Sequence, residues 1–290
     1  MLAFLAAPFA ASLILTGIHA YLGVHVVERG VIFVDLSLAQ IAALGATIAL
    51  LLPFSNGDPH APFVYWISLA FTFIGAAVFS TIRSRRARIP QEAIIGICYA
   101  VASAAAILAM SKATSESEHL KDMLVGNILA VSWPEVGKTA MLYGVIGLFH
   151  YVFRHKFLAI SMDPVRAEAE GISIKLWDFL FYASFGFVVT SSVAIAGVLL
   201  VFCYLIVPSV AAMLYADSIG RRLAIGWSMG TLVSALGVYL SLLLDLPTGA
   251  TIVCTFGLVL ILMALVRPLF RSVAEDDHQV NYADRAHGAH

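Results

Sequence analysis

The sequence has few charged residues and no excess of either sign. Only 12% of its 290 residues are charged, against about 25% in ordinary globular domains. The 17 basic and 18 acidic residues leave a formal net charge of -1, which excludes a nucleic-acid partner because such partners need a basic surface. Hydrophobic residues make up 61% of the chain. A soluble protein of this size could not hide that much apolar surface.

Cysteines and catalytic motifs are also scarce. Cys98, Cys203 and Cys254 are the three cysteines, and each lies inside an apolar run. Their spacing fits neither a disulfide framework nor a zinc site, so we interpret them as small hydrophobic side chains. The sequence contains no His-Glu-x-x-His or Gly-x-Ser-x-Gly motif. We therefore predict no enzymatic activity and no permanently bound cofactor.

Long apolar runs are what the chain has in abundance. A bilayer core about 30 Å thick needs about 20 apolar residues per helix, and the prediction is an all-α, polytopic transmembrane helical bundle with about nine spans. The uncharged stretch from Phe179 to Ala216 is about twice one span, so a tight reversal is expected near Ser191 to Gly197. The predicted spans are Pro8–Val27, Val31–Pro53, Phe63–Ile82, Ile94–Met110, Thr139–Phe153, Trp177–Ile195, Ala196–Ala216, Leu223–Leu244 and Ala250–Val266.

Basic residues predict how the bundle is oriented, because cytoplasmic loops carry an excess of arginine and lysine. With the N-terminus outside, the arginine-rich connections fall on the cytoplasmic side. An odd number of spans then leaves the C-terminus in the cytoplasm. We predict a transmembrane domain over residues 1–271 in the cytoplasmic (inner) membrane, and a polar, mobile cytoplasmic tail over residues 272–290.

One inner connection is predicted to contain a short helix at the cytoplasmic face. It includes the segment "DPVRAEAEGISIK". Asp163 and Pro164 are typical of a helix start, and Gly171 suits a C-terminal cap. Such a helix has a shape that a soluble partner could bind.

Four polar residues in the first two predicted spans are candidate metal ligands. An ionisable group inside a span is costly, so Asp35 is expected to face the bundle interior and to coordinate a divalent cation. A structural hydrogen bond to a neighbouring helix is the alternative. His19 and His25 could supply imidazole, but their spacing of six residues prevents both from reaching one ion on a straight helix. Gln40 is a poor transition-metal ligand and is interpreted as a polar gate or as a hydrogen-bond donor to a ligand.

Four further residues are interpreted without a role in metal binding. Glu92 and Asp178 are expected to be solvated residues at helix starts, and His150 to lie at the membrane interface. Pro208 is expected to kink its span, because proline removes a backbone hydrogen bond.

Several segments carry a family resemblance. In chain order they are "GVHVVERGVIFVDLSLAQIAALG", "EAIIGICYA", "GNILAVSW", "DPVRAEAEGISIKLWD", "GVLLVFCYLIVPSVAAML" and "YLSLLLDLPTGATIV". Together they resemble the permease subunits of the zinc/manganese/iron uptake family of ABC transporters. The resemblance implies a permease that pairs with a second copy, sits on cytoplasmic ATP-binding subunits and receives metal from an extracytoplasmic metal-binding protein. The chain agrees in having no G-x-x-x-x-G-K-[ST] loop.

The resemblance also implies a coupling element that docks on the ATPase. Its residues here are Asp163, Pro164, Arg166, Ala167, Glu168, Glu170 and Gly171.

The second span departs from the family pattern. Most members carry an aspartate, a histidine four residues later, and then a Pro-Gly pair. Here Leu36, Gln40 and Leu44 occupy the places of the aspartate, histidine and proline. Asp35 lies one residue early, about 140° from Gln40 around a helix. The usual ligand pair is therefore not carried over to this chain.

The predicted function is uptake of a divalent transition-metal ion by alternating access, powered by separate ATPase subunits. Zinc is the first expectation, with manganese or iron next. Two alternatives stay open. An ABC permease for a metal chelate or vitamin-like ligand would have a wider pathway, and a secondary transporter driven by protons through Asp35 and Glu92 would need no ATPase.

Overall fold

Helices form all the regular structure that a computed structural model describes for this chain. The structure describes residues 2–55, 58, 61–82, 89–111 and 128–287, and the side chains of those between 6 and 267. The all-α prediction is therefore confirmed for the described residues. The α-helices are α1 Leu2–Arg29, α2 Val34–Leu51, α3 Pro62–Ile82, α4 Gln91–Met110, α5 Trp133–Val152, α6 Arg154–Met162, α7 Pro164–Ala169, α8 Ile174–Tyr215, α9 Ile219–Leu244 and α10 Thr248–His287.

Seven of the described helices are long and apolar enough to cross a membrane, and α5 with α6 forms an eighth candidate that bends by 73°. The first helix packs against α5, α6, α8 and α9, so α1 lies at the centre of the bundle. The helices α2, α3 and α4 pack together and join this group through α8. The prediction of a multi-pass membrane protein is confirmed.

The 42-residue helix α8 folds back on itself at Gly197, inside the interval predicted for a reversal. Its first arm (residues 174–196) contacts His19 of α1 through Ser192, and its second arm (residues 198–215) contacts Ala20 through Ser209. A straight helix would hold these two serines about 25 Å apart, yet they meet consecutive residues of α1. Gly197 has a φ of 76°, which only glycine adopts at little cost.

Helix α5 begins at Trp133 rather than at the predicted Thr139. The backbone N–H of Ser132 donates to Glu135 Oε2 at 2.8 Å, and the Ser132 hydroxyl donates to the same oxygen at 2.6 Å. Pro134 adds the fixed φ that suits a first turn. The predicted span began too far along the chain, because hydropathy detects only the apolar part of a helix. These capping residues start the helix before its apolar part begins.

Candidate functional site

Asp35 lies in the first turn of α2 and is buried, with 1% of its surface exposed. Its Oδ1 atom has no hydrogen-bond partner among the described residues. The alternative reading, a structural hydrogen bond through that oxygen, therefore finds no support in the described part of the chain. A carboxylate oxygen buried without a partner is costly, and either a bound cation or a proton would compensate it.

His19 is held on α1 in an orientation that suits a metal ligand. Its Nδ1 lies 2.7 Å from the carbonyl oxygen of Leu15, and a carbonyl can only accept, so Nδ1 carries the proton. The lone pair is then on Nε2, which lies 3.3 Å from the Ser192 hydroxyl. That hydroxyl makes a shorter bond to the Val188 carbonyl, at 2.6 Å. A backbone acceptor behind the imidazole is how proteins commonly orient a ligating histidine.

His25 belongs to a different environment, near the C-terminal end of α1. Its Nδ1 lies 2.8 Å from the hydroxyl of Ser161 on α6, and its ring packs against Tyr21 and Phe181. Gln40 lies on α2 and is half-buried. Among the described residues, no three His, Cys, Asp or Glu side chains stand close enough to hold one metal ion. The four predicted ligands are therefore not gathered into a single site within the described part of this chain.

Two residues expected at the membrane surface are buried, and both predictions were wrong. Asp178 pairs with Arg29, whose Nη1 lies 2.7 Å from Asp178 Oδ1, and both side chains are fully buried. His150 is stacked on Phe157 with 4.3 Å between ring centroids, and its Nε2 lies 2.8 Å from the hydroxyl of Ser184. Their positions near span ends suggested solvent, whereas Asp178 finds its partner on the remote helix α1, and His150 finds its partners on α6 and α8. One signal was available, because Arg29 at the end of α1 and Asp178 near the start of α8 are opposite charges at span ends.

Glu92 lies in the first turn of α4, so the predicted helix start is confirmed, but its side chain is half-buried rather than fully solvated. Its Oε1 accepts the backbone N–H of Phe33 at 2.9 Å, and Phe33 immediately precedes α2. The carboxylate thus satisfies one of the free N–H groups at the start of α2, where the helix dipole favours a negative charge. Glu92 ties the beginning of α4 to the beginning of α2.

The short helix α7 is built as its sequence predicts. Asp163 Oδ1 accepts the backbone N–H of Arg166 at 3.0 Å, which caps the helix start. Gly171 ends it with a φ of 79°, and the N–H of Ile172 reaches back to the Ala167 carbonyl at 3.0 Å. Ala167 is buried, while Arg166 and Glu170 form an exposed ion pair at 2.8 Å. The predicted coupling residues therefore form one exposed, capped helix.

Comparison with known proteins assigns this fold to a family. The sequence model of the ABC 3 transport family matches residues 1–267 of this chain. The chain belongs to the ABC 3 transport family. This family member is 30% identical over 207 residues to the manganese import system permease protein ScaB of Streptococcus parasanguinis, covering 68% of this chain and 72% of ScaB. It is also 26% identical over 248 residues to the chelated iron transport system membrane protein YfeC of Yersinia pestis, covering 86% and 81% of the two chains.

The solved structure of PsaBC from Streptococcus pneumoniae in complex with Fab has a similar fold. The TM-score is 0.74 at 23% sequence identity, and the match covers 90% of each chain. The resemblance of this ABC 3 family member to metal-uptake ABC permeases, drawn from its sequence segments, is confirmed by the family match and by these relatives.

Proposed function

We propose that this chain is the membrane-spanning permease subunit of an ATP-driven importer of a divalent transition-metal ion. The observation that carries the proposal is the family match over residues 1–267, joined to an exposed capped helix, α7, at the predicted coupling residues. The names of ScaB and YfeC favour manganese or iron as the cargo. Zinc, the first expectation from the imidazole candidates, stays a prediction.

The bundle crosses the membrane nine times in this proposal, with the N-terminus outside and the C-terminus in the cytoplasm. The seven long helices, the bent pair α5 and α6, and a separate second arm of α8 make up the nine crossings. Contacts support the alternation of direction, because the first arm of α8 follows α1 from Arg29 to His19 and, after the turn at Gly197, the second arm comes back to Ala20. Described arginines near the helix ends on the proposed inner side include Arg29, Arg154, Arg221, Arg222 and Arg267.

The partners in this proposal are cytoplasmic ATP-binding subunits, a second permease copy and an extracytoplasmic metal-binding protein. The ATPase would bind the exposed surface of α7. On that surface the Val165 side chain is 59% exposed, and Arg166 and Glu170 form an ion pair. Two copies would also explain the metal ligands, since Asp35 and His19 of one chain are too few for a transition-metal site. Each copy would contribute part of the coordination sphere along the pathway.

Transport by the reconstituted complex tests this proposal. Wild type is compared with Asp35→Asn and His19→Ala for uptake of manganese, iron and zinc, with ATP hydrolysis measured in the same vesicles. We expect Asp35→Asn to lower uptake about tenfold or more, since even residues that only support a metal ligand contribute about that much. Asp245→Asn is the matched control, because Asp245 lies in an exposed turn after α9 and Asn tolerates its φ of 52°.

Each alternative function gives a different result. Uptake of a metal chelate without uptake of the free ion, by a complex that hydrolyses ATP, would establish the chelate permease that the name of YfeC suggests. Uptake that persists without the ATPase subunits would establish a secondary transporter. Either outcome would reject the proposed import of a free ion by ATP hydrolysis.

A further inference from the structure

A single buried arginine joins both sides of the segment that carries α7. Arg29 is the last residue of α1. Its Nε donates to the hydroxyl of Ser161 at 2.8 Å, and its Nη1 donates to Asp178 Oδ1 at 2.7 Å. Its guanidinium carbon also lies 3.9 Å from the centroid of the Phe181 ring. Ser161 precedes α7 and Asp178 follows it. We call Arg29, Ser161, Asp178 and Phe181 the Arg29 clamp.

The contacts of α7 itself are few, so its position depends on its two flanks. Ala167 is the buried residue of this helix. The flank before it is firmly held, since Phe157, Ile160 and Ser161 of α6 are buried. The flank after it holds Trp177 and Asp178, which are buried as well. A push on α7 must therefore move these flanks, and both of them are bonded to Arg29.

The hydroxyl of Ser161 connects the clamp to a second turn of α1. It donates its proton to the Phe157 carbonyl at 2.9 Å, which leaves the oxygen to accept from Arg29 and from His25 Nδ1. Two residues of α1, one helical turn apart, thus share one hydroxyl of α6. This arrangement fixes the direction of α6 relative to α1 and not only the distance between them.

The chain that follows Arg29 continues within a few residues to Asp35, the candidate metal ligand. Gly30 follows Arg29 with a φ of 67°, and α2 then begins at Val34. Asp35 is the second residue of α2, so five residues separate Arg29 of the clamp from the residue with the unpartnered carboxylate oxygen. Glu28 pairs with Arg222 of α9, which ties the same end of α1 to the opposite side of the bundle.

We propose that Arg29 is a positioning residue that transmits movement of α7 to α1 and the start of α2. This inference rests on the proposed function, in which the ATPase moves α7. A neutral side chain at position 29 could bond α6 alone. The guanidinium of Arg29 bonds α6 and α8 together, because its planar group donates hydrogen bonds in two directions at once. Lysine has a single nitrogen where Arg29 uses Nε for Ser161 and Nη1 for Asp178, so we expect Arg29→Lys to weaken at least one of the two bonds.

The test measures ions transported per ATP hydrolysed in the reconstituted complex. The variants are Ser161→Ala and Arg29→Lys, and Ser184→Ala is the matched control. Ser184 is a half-buried serine of α8 whose hydroxyl bonds His150 and the backbone carbonyl of Phe181, whereas the clamp uses the Phe181 ring. We expect the ratio to fall about tenfold in Ser161→Ala, because a hydrogen bond to a charged group changes an equilibrium by about that factor. ATP hydrolysis should stay within about twofold of wild type.

A purely structural role gives the opposite pattern. Loss of folded complex lowers uptake and ATP hydrolysis together, so an unchanged ratio in both clamp variants would overturn the proposal. So would an equal fall of the ratio in Ser184→Ala. If wild type itself carries no free ion, the proposed function fails, and that outcome is distinct from failure of the clamp.

Hydrogen exchange tests the clamp without any ion. In the wild-type complex, ATP should change amide exchange at α7 and at the inner end of α1. In Ser161→Ala the change at α7 should remain and the change at α1 should be lost. Persistence of both changes in Ser161→Ala would overturn the proposal whatever the transported cargo is.

Discussion

Gly23 gives the sharpest test of how closely α1 packs against the second arm of α8. A Cβ atom at Gly23 would lie 2.9 Å from the carbonyl carbon of Leu205 and would overlap the oxygen of that carbonyl and the hydroxyl of Ser209. A backbone carbonyl cannot rotate away as a side chain can. The Ser209 hydroxyl is itself bonded to the Leu205 and Ala20 carbonyls. Relief therefore requires the two helices to separate.

The expected cost of Gly23→Ala is about 3 kcal/mol, the upper part of the range for overpacking, because neither obstacle can move alone. Gly17→Ala is the control on the same helix, since a Cβ there meets nothing within 4 Å. That variant should be neutral or stabilised by up to about 1 kcal/mol, because alanine favours helix over glycine. Only the contact with α8 distinguishes the two substitutions.

Thermal unfolding of the purified permease in detergent compares the two variants. A difference of about 3 kcal/mol corresponds to about 6 to 12 °C in midpoint for a chain of this order of size. Gly23→Ala should unfold at the lower temperature. A midpoint for Gly23→Ala equal to that of Gly17→Ala, or above it, would refute the close contact between α1 and the second arm of α8.

Two further predictions concern the end of the bundle that carries Arg29 and α7. Arg29→Ala should destabilise the chain by about 3–5 kcal/mol, because Asp178 would remain as a buried charge without its arginine. Adding Asp178→Asn should recover part of that loss in thermal unfolding, and no recovery would contradict the buried pair. Gly171→Ala should cost about 1–2 kcal/mol at the end of α7, since its φ of 79° disfavours a side chain. Co-purification with the ATPase subunits should fall relative to Gly220→Ala, a helical glycine with open space around it, and equal recovery would argue against α7 as the docking element.

Local signals in the sequence were sufficient for several elements of the fold. Apolar length predicts the membrane helices, and the uncharged stretch twice one span predicts the reversal that the structure has at Gly197. Asp163, Pro164 and Gly171 predict α7 because capping acts between residues close in sequence. In each case the physical cause lies within a few residues or within one span.

Contacts between remote helices could not be predicted in the same way. His150 meets Tyr21 across 129 positions, and Arg29 meets Asp178 across 149, so no periodicity within one helix reveals either pair. Asp35 was identified as a candidate ligand from its cost in a span, which is a local argument. Its lack of a partner at Oδ1 could be seen only once the neighbouring helices were in place.

The reversal at Gly197 has a consequence for how the chain enters the membrane. Ala196, Gly197 and Val198 are buried in the protein, so this turn has no polar loop that could rest in water. Non-helical backbone is tolerated at membrane depth only when protein surrounds it. We therefore expect the hairpin of α8 to be unstable in lipid by itself and to need α1 in place to receive its two arms. In that case assembly of the central part of this bundle would be templated, with the earlier helix α1 as the surface on which the later hairpin closes.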